Sequence, residues 1–244
     1  VIHYRQGEFE KALAYYNKSS VIMDSQGDKS GKSDIYNNIG LVYSEYGKPQ
    51  KALQYYLKSA ALKETLPGKN KIARVYNNIG GIYHMLGNHT LALEFFFKSL
   101  KIKKESGNPG TLTSSYSNIG AAFSALGQGD RAIEFYSKSL AILKRTGSRS
   151  GKANVYNNMA TLFARKKDYE RAKEYFLKSI DEWKKLGSKR GIAVNYLDIG
   201  WLYYLNQKCD DALHNFSRAR EIMDSIKYYE RYGELLMFIG LCYK

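Results

Sequence analysis

Side chains able to make or break bonds are few in this sequence. Four histidines stand at His3, His84, His89 and His214. His84 and His89 are five residues apart, a spacing that puts two side chains on different sides of a helix and does not suit shared ligation of a metal ion. No Ser/His/Asp or Cys/His constellation can be read, and such sites are in any case defined by geometry rather than chain order. Gly-rich phosphate loops are absent, because turns and close packing account for the glycines. Cys209 and Cys242 are too few for a disulfide framework and leave the redox compartment open. No enzymatic role and no cofactor or metal is therefore expected. What recurs instead is a carboxamide, at Asn38, Asn78, Asn118 and Asn158, with Asp198 next in the series. Such a group both donates and accepts hydrogen bonds, so it suits recognition of a peptide backbone whatever its side chains.

The interval is 40 residues, and it governs the whole chain. Tyr36-Asn37-Asn38-Ile39-Gly40 returns as Tyr76-Asn77-Asn78-Ile79-Gly80, then Tyr116-Ser117-Asn118-Ile119-Gly120, Tyr156-Asn157-Asn158-Met159-Ala160 and Tyr196-Leu197-Asp198-Ile199-Gly200. Ile239-Gly240 closes the series. A second block keeps the same step: Ala12, Ala52, Ala92, Ala132, Ala172 and Ala212, each followed four residues later by Tyr or Phe. Ile35, Ile39, Val42, Tyr43 and Tyr46 form an apolar stripe of helical period, and so do Ala52, Tyr56 and Ala60. Gly7, Gly47, Gly87 and Gly127 fall between the two blocks, where a helix end needs a left-handed residue. Pro49 fits the first turn of the helix that follows. Gly27, Pro67-Gly68, Gly107, Gly147 and Gly187 break the chain at the other junction.

Each repeat is thus predicted as helix A, tight turn, helix B, looser turn. The mid-helix glycines cost about 1 kcal/mol each relative to Ala, and close approach of helix A to the Ala column of helix B is the expected compensation. A single hairpin cannot bury its own face, so neighbours must stack. The predicted fold is an all-α, right-handed superhelical solenoid of antiparallel helix-turn-helix repeats, forming one domain over 1–244. Its parts are a partial unit at 1–27, full units at 28–67, 68–107, 108–147, 148–187 and 188–227, and a partial final unit at 228–244.

This pattern resembles the tetratricopeptide repeat family: Gly in helix A with an aromatic three residues on, Gly at the turn, then Ala, an aromatic and a small residue down helix B. The usual unit has about 34 residues, so this one resembles the longer repeats of bacterial signalling proteins, kinesin light chains and peptide-sensing regulators. The resemblance implies that helix A lines a concave binding face. On that basis the exposed stripes are Asp34, Asn38, Leu41, Glu45; Arg74, Asn78, Gly81, Met85; Ser114, Asn118, Ala121, Ala125; Asn154, Asn158, Thr161, Arg165; and Val194, Asp198, Trp201, Leu205. The candidate contacts are Asn38, Arg74, Asn78, Asn118, Asn154, Asn158, Asp198, Trp201 and Tyr204. The Asn column has a purely structural alternative, in which it bridges adjacent repeats or faces water. Trp201, Tyr204 and Phe238 form an aromatic end that serves either a partner or a continuation of the repeats.

The totals agree with a binding role. The chain of 244 residues carries a net charge of +15, mainly on helix B and the B-to-A loops, which leaves an acidic protein or peptide as a possible partner. Nucleic acid is not expected, since no recognition motif accompanies the charge. The longest apolar run near the C-terminus, Leu235 to Tyr243, is half of the roughly 20 residues a membrane span needs. No signal peptide opens the chain, and the missing initiator Met points to a piece of something longer. The expected function is a protein- or peptide-binding scaffold, the sensing or interaction region of a larger bacterial signalling or regulatory protein, in the cytoplasm or periplasm. The alternative is a structural adaptor, or self-association through the open end helices. Cys209 and Cys242 fall at levels that antiparallel helices would bring near each other, with two separate thiols favoured over a disulfide.

Overall fold

The computed structural model describes residues 8–67, 71–107 and 109–243. The remnant of helix A at Val1 to Gln6, with His3, and the glycines Gly7 and Gly68 lie outside these residues. Twelve α-helices follow one another, with no strand among the described residues. They are α1 (Phe9–Ser25), α2 (Lys29–Glu45), α3 (Pro49–Glu64), α4 (Ile72–Met85), α5 (His89–Glu105), α6 (Leu112–Ala125), α7 (Gly129–Thr146), α8 (Arg149–Arg165), α9 (Tyr169–Lys185), α10 (Lys189–Leu205), α11 (Cys209–Ser225) and α12 (Tyr232–Cys242). Even numbers are the predicted A helices and odd numbers the B helices. A single 3₁₀ turn, Pro109–Thr111, precedes α6. Two compact bodies divide the chain, Val1–Ala132 and Ile133–Lys244.

The helix ends follow from local chemistry. After α2 the amide of Lys48 donates to the carbonyl of Tyr43 at 2.8 Å, and that of Gly47 donates to Ser44 at 3.2 Å. This pair of bonds satisfies carbonyls that the helix leaves open, and it requires a left-handed residue at Gly47, φ 70°. Where the sequence replaces that Gly, the geometry persists: Lys167 has φ 59° and Gln207 φ 58°. A side chain in that conformation costs about 1 kcal/mol or more. Helix starts are capped by Asp28, Asn88 and Asp168, whose side-chain oxygens accept from the amides of Gly31, Leu91 and Arg171. Pro49 occupies the first turn of α3 as expected.

Within a hairpin the mid-helix glycine makes room for a ring. A Cβ on Gly40 would lie 2.7 Å from the Tyr56 ring, and one on Gly80 2.6 Å from Phe96. The close approach expected at the Ala column is therefore made chiefly to the aromatic four residues beyond it. Ala52, Ala92 and Ala212 are fully buried behind those rings. A buried serine then fastens helix B to helix A. Ser99 Oγ donates to the carbonyl of Ala73 at 2.7 Å, and Ser179 Oγ to that of Ala153 at 3.0 Å. In the α2–α3 hairpin, Ser33 and Ser59 serve each other's carbonyls at 2.9 and 2.8 Å.

Candidate functional site

In the first body a groove of about 250 Å³ runs across three successive A helices. Leu41 of α2, Asn78, Gly81 and Met85 of α4, and Asn118 and Ala121 of α6 line it. All six belong to the stripes predicted above. Ser44, Asn77, Ile82 and His84 complete the A-helix wall, and Tyr56 and Phe96 form the floor. Gly81 opens the middle, because nothing lies within 4 Å of where its Cβ would be. Met85 is exposed, giving the groove an apolar lip beside its amides.

The Asn column is a strut between repeats as well as a groove wall. Asn78 Nδ2 donates to Asn37 Oδ1 at 3.0 Å, and Asn118 Nδ2 donates to Asn77 Oδ1 at 3.1 Å. Each bond leaves the second carboxamide N–H and the Oδ1 of Asn78 and Asn118 as hydrogen-bonding capacity at the groove. The accepting residues Asn37 and Asn77 were not among the predicted contacts. Their signal was the doubled Asn in Tyr-Asn-Asn-Ile-Gly. Asn38 is half-buried on α2 and does not line the groove. Arg74 is exposed, and its guanidinium lies 3.7 Å from Asp34, which also takes the buried Lys63 ammonium at 2.8 Å.

The second body has its own cleft, of about 260 Å³, on α8 and α10. Thr161, Arg165, Asp198, Trp201 and Leu205 of the predicted stripes line it, over Phe176. Arg231 of α12 donates to Asp198 Oδ1 at 3.0 Å. Burial pushes the Asp198 carboxyl above the usual carboxylate range, against the pull of Arg231. Asn157 Oδ1 is buried without a partner, although Asn157 stands at the position of Asn37 and Asn77. The ring of Trp201 stacks on Phe238 at 4.5 Å and on Tyr204 at 5.2 Å, so the aromatic end is already a packed cluster. Asn154 is exposed and Asn158 half-buried on α8, and neither lines the cleft.

A further cleft of the first body, about 380 Å³, lies where α3, α4 and α5 meet. Lys63, Lys98 and Lys101 line it with Glu64 and Glu105, and Lys63 is paired with Asp34. Tyr76 donates to Glu64 at 2.8 Å, and burial with that bond pushes its phenol up to about 12.

The expectation for the histidines is corrected. His84 lies in the last turn of one helix and His89 begins the next, so the A-to-B turn lies between them and helical spacing does not apply. Their Nδ1 atoms are 3.1 Å apart. Cys209 and Cys242 are both free thiols. Burial and the neighbouring Cys209 thiol push the Cys242 thiol upward, so the expected proximity of the two levels is found. Among the described residues, no helix is long and apolar enough to cross a membrane.

No curated protein matches the sequence. Solved structures do. BtubC from P. vanneervenii superposes with a TM-score of 0.74 at 19% identity, covering 91% of this chain and 93% of that one. The Rap conjugation gene regulator of plasmid pLS20, in complex with the Phr* peptide, gives 0.76 at 17% identity, over 89% of this chain and 60% of that one. A signal-transduction ATPase with a tetratricopeptide repeat sensor, from Pyrococcus horikoshii, gives 0.72 at 16% identity over 96% of this chain and 36% of that one. At these identities the likeness is one of fold, and it is the solenoid of helix-turn-helix repeats predicted from the sequence. A family model described as tetratricopeptide repeat matches residues 1–65, 71–145 and 151–225, and with the 40-residue hairpins in place the chain belongs to the tetratricopeptide repeat family.

Proposed function

We propose that this chain binds a protein or an extended peptide along the A-helix groove of its first body. The observation that supports this most is the groove's composition: six residues from three successive A helices converge, with amides beside an apolar lip and an open glycine. Carboxamides recognise backbone, and the apolar lip takes a side chain. The Rap regulator, similar in fold, is solved with a peptide, which adds support for a sensing or interaction region in a larger signalling or regulatory protein. We read the chain as a binding scaffold rather than a catalyst; the net charge of +15 suits an acidic partner, and no nucleic-acid recognition motif accompanies it. A structural adaptor is the second reading, favoured by the packed Trp201–Tyr204–Phe238 end.

Gly81→Gln tests the groove. The new side chain enters open space and replaces a helix-interior Gly, so stability holds or rises by roughly 0.5–1 kcal/mol. Partners captured from lysate by the natural chain and identified by mass spectrometry are expected to be lost by the variant. Retention of every partner by the folded variant would move binding away from this groove.

A further inference from the structure

The turn between α4 and α5 brings two imidazoles together. The amide of Gly87 donates to the carbonyl of His84 at 3.1 Å, and that of Asn88 to Tyr83 at 2.8 Å. Asn88 then caps α5 through the amide of Leu91 at 3.2 Å. The backbone on both sides of the pair is thereby fixed, and the rings converge from two different helices. Both histidines are half-buried, held by the fold yet open to solvent.

One imidazole Nδ1–H donates to the other ring's Nδ1 at 3.1 Å, and an ion would take the place of that shared proton. Nitrogens aimed straight at each other, 3.1 Å apart, would put the ring centres about 5.4 Å apart, given roughly 1.15 Å from ring centre to nitrogen. Nitrogens aimed at a common point are different. With metal–nitrogen bonds of about 2.05 Å, a 3.1 Å separation corresponds to an angle of ~98° at the ion and ring centres about 4.8 Å apart. The centres are 4.8 Å apart, with the planes inclined by 54°. The angle falls between square-planar and tetrahedral, the geometries of the late first-row divalent ions.

We propose that His84 and His89 form a two-histidine site for a late first-row divalent ion, Cu²⁺, Ni²⁺ or Zn²⁺, ligated through both Nδ1 atoms. Among the described residues no group of three or more His, Cys, Asp and Glu side chains gathers to hold a metal, so water fills the other positions. Cu²⁺ binds tightest, because affinity for nitrogen ligands peaks there. Acidification weakens binding, since each imidazole must be neutral to ligate. His84 also lines the groove of the first body, so an open position on the ion is available to a donor of a groove ligand. That extension alone rests on the proposed peptide-binding role. Capture of the ion does not.

The test is calorimetric titration of Cu²⁺, Ni²⁺ and Zn²⁺ into the tag-free, chelator-stripped H3A chain with no peptide present, His3 being replaced because a free Val1-Ile2-His3 terminus itself chelates Cu²⁺ and Ni²⁺. Electron paramagnetic resonance of the Cu²⁺ form reports its nitrogen ligands. One ion per chain with two imidazole nitrogens is expected. H84Q and H89Q, which keep a polar side chain at the turn, each weaken binding by at least about tenfold, with helicity unchanged by circular dichroism. H214A, on α11, leaves the affinity unchanged. An affinity untouched when H84Q and H89Q are both added to the H3A chain, or no saturable binding by the H3A chain up to about 0.1 mM, overturns the assignment.

Discussion

Asp198→Asn replaces the one carboxylate in a column of amides, and the structure indicates that the protein becomes more stable. In the first body the residue at this position donates to the amide oxygen of the preceding repeat, as Asn78 does to Asn37 and Asn118 to Asn77. The corresponding acceptor in the second body, Asn157 Oδ1, is buried and unpartnered, and an ionised carboxylate has no proton to give it. An unsatisfied buried acceptor costs about 1–3 kcal/mol. Against this stands the loss of the Arg231 pair, whose side chains are 29% and 21% exposed, worth about 0–1 kcal/mol at such exposure. Arg231 keeps Glu234 at 2.8 Å. The net expectation is a gain of about 1 kcal/mol near pH 7, or a urea midpoint higher by roughly 0.5 M. The pH dependence carries the sharper test. Burial raises the Asp198 carboxyl above its unfolded value, so the folded protein holds that proton longer. The stability Asp198 contributes is full below the unfolded pKa and is lost as pH rises through the raised one. The protonated acid can itself donate, so the advantage of the variant shrinks toward zero near pH 4. Urea denaturation at both pH values, with hydrogen exchange of α8 and α10, reads the difference. A variant destabilised by about 1 kcal/mol at both pH values, or equally stabilised at both, would refute the reasoning.

Other expectations come from single departures within columns. Asn195 is buried with its Oδ1 unpartnered, where other repeats carry the buried Val75 and Val155. Asn195→Val should therefore stabilise by about 1–2 kcal/mol in thermal or urea unfolding. Lys167→Gly relieves a left-handed residue at φ 59°, and a gain of roughly 0.5–1 kcal/mol is expected by the same measurement. Ser59→Ala removes the hydroxyl at the centre of the Ser33 pair. It should cost about 1–2 kcal/mol, and the Ser33→Ala/Ser59→Ala double variant less than the sum of the two singles.

Much of the fold was legible because one step of 40 residues repeats without interruption. The period placed helices and turns, and the family resemblance then placed the groove stripe from Leu41 to Ala121. What was hidden depends on pairs that no periodicity within a helix describes. Asn78 meets Asn37 across the gap between neighbouring repeats, 41 residues apart. Arg231 reaches Asp198 from the beginning of α12. His84 and His89 were judged by the geometry of one helix although a turn parts them. The tight turns also hid a cost: Lys167 and Gln207 stand in the turn column of Gly47, and both are held left-handed by the same reversal that Gly47 makes freely.

The two kinds of polar link act on different parts of the unfolding transition. The serine-to-carbonyl bonds tie the helices inside one hairpin, whereas the Asn–Asn bonds tie one hairpin to the next. In a linear array, stability is a sum of intrinsic and nearest-neighbour terms. Weakening a serine link lowers one hairpin and moves the midpoint. Weakening an Asn link lowers the coupling between hairpins, so the midpoint moves and the transition broadens as well. Both columns thus set the position of denaturation, while its sharpness is encoded in the amide column that joins one hairpin to the next.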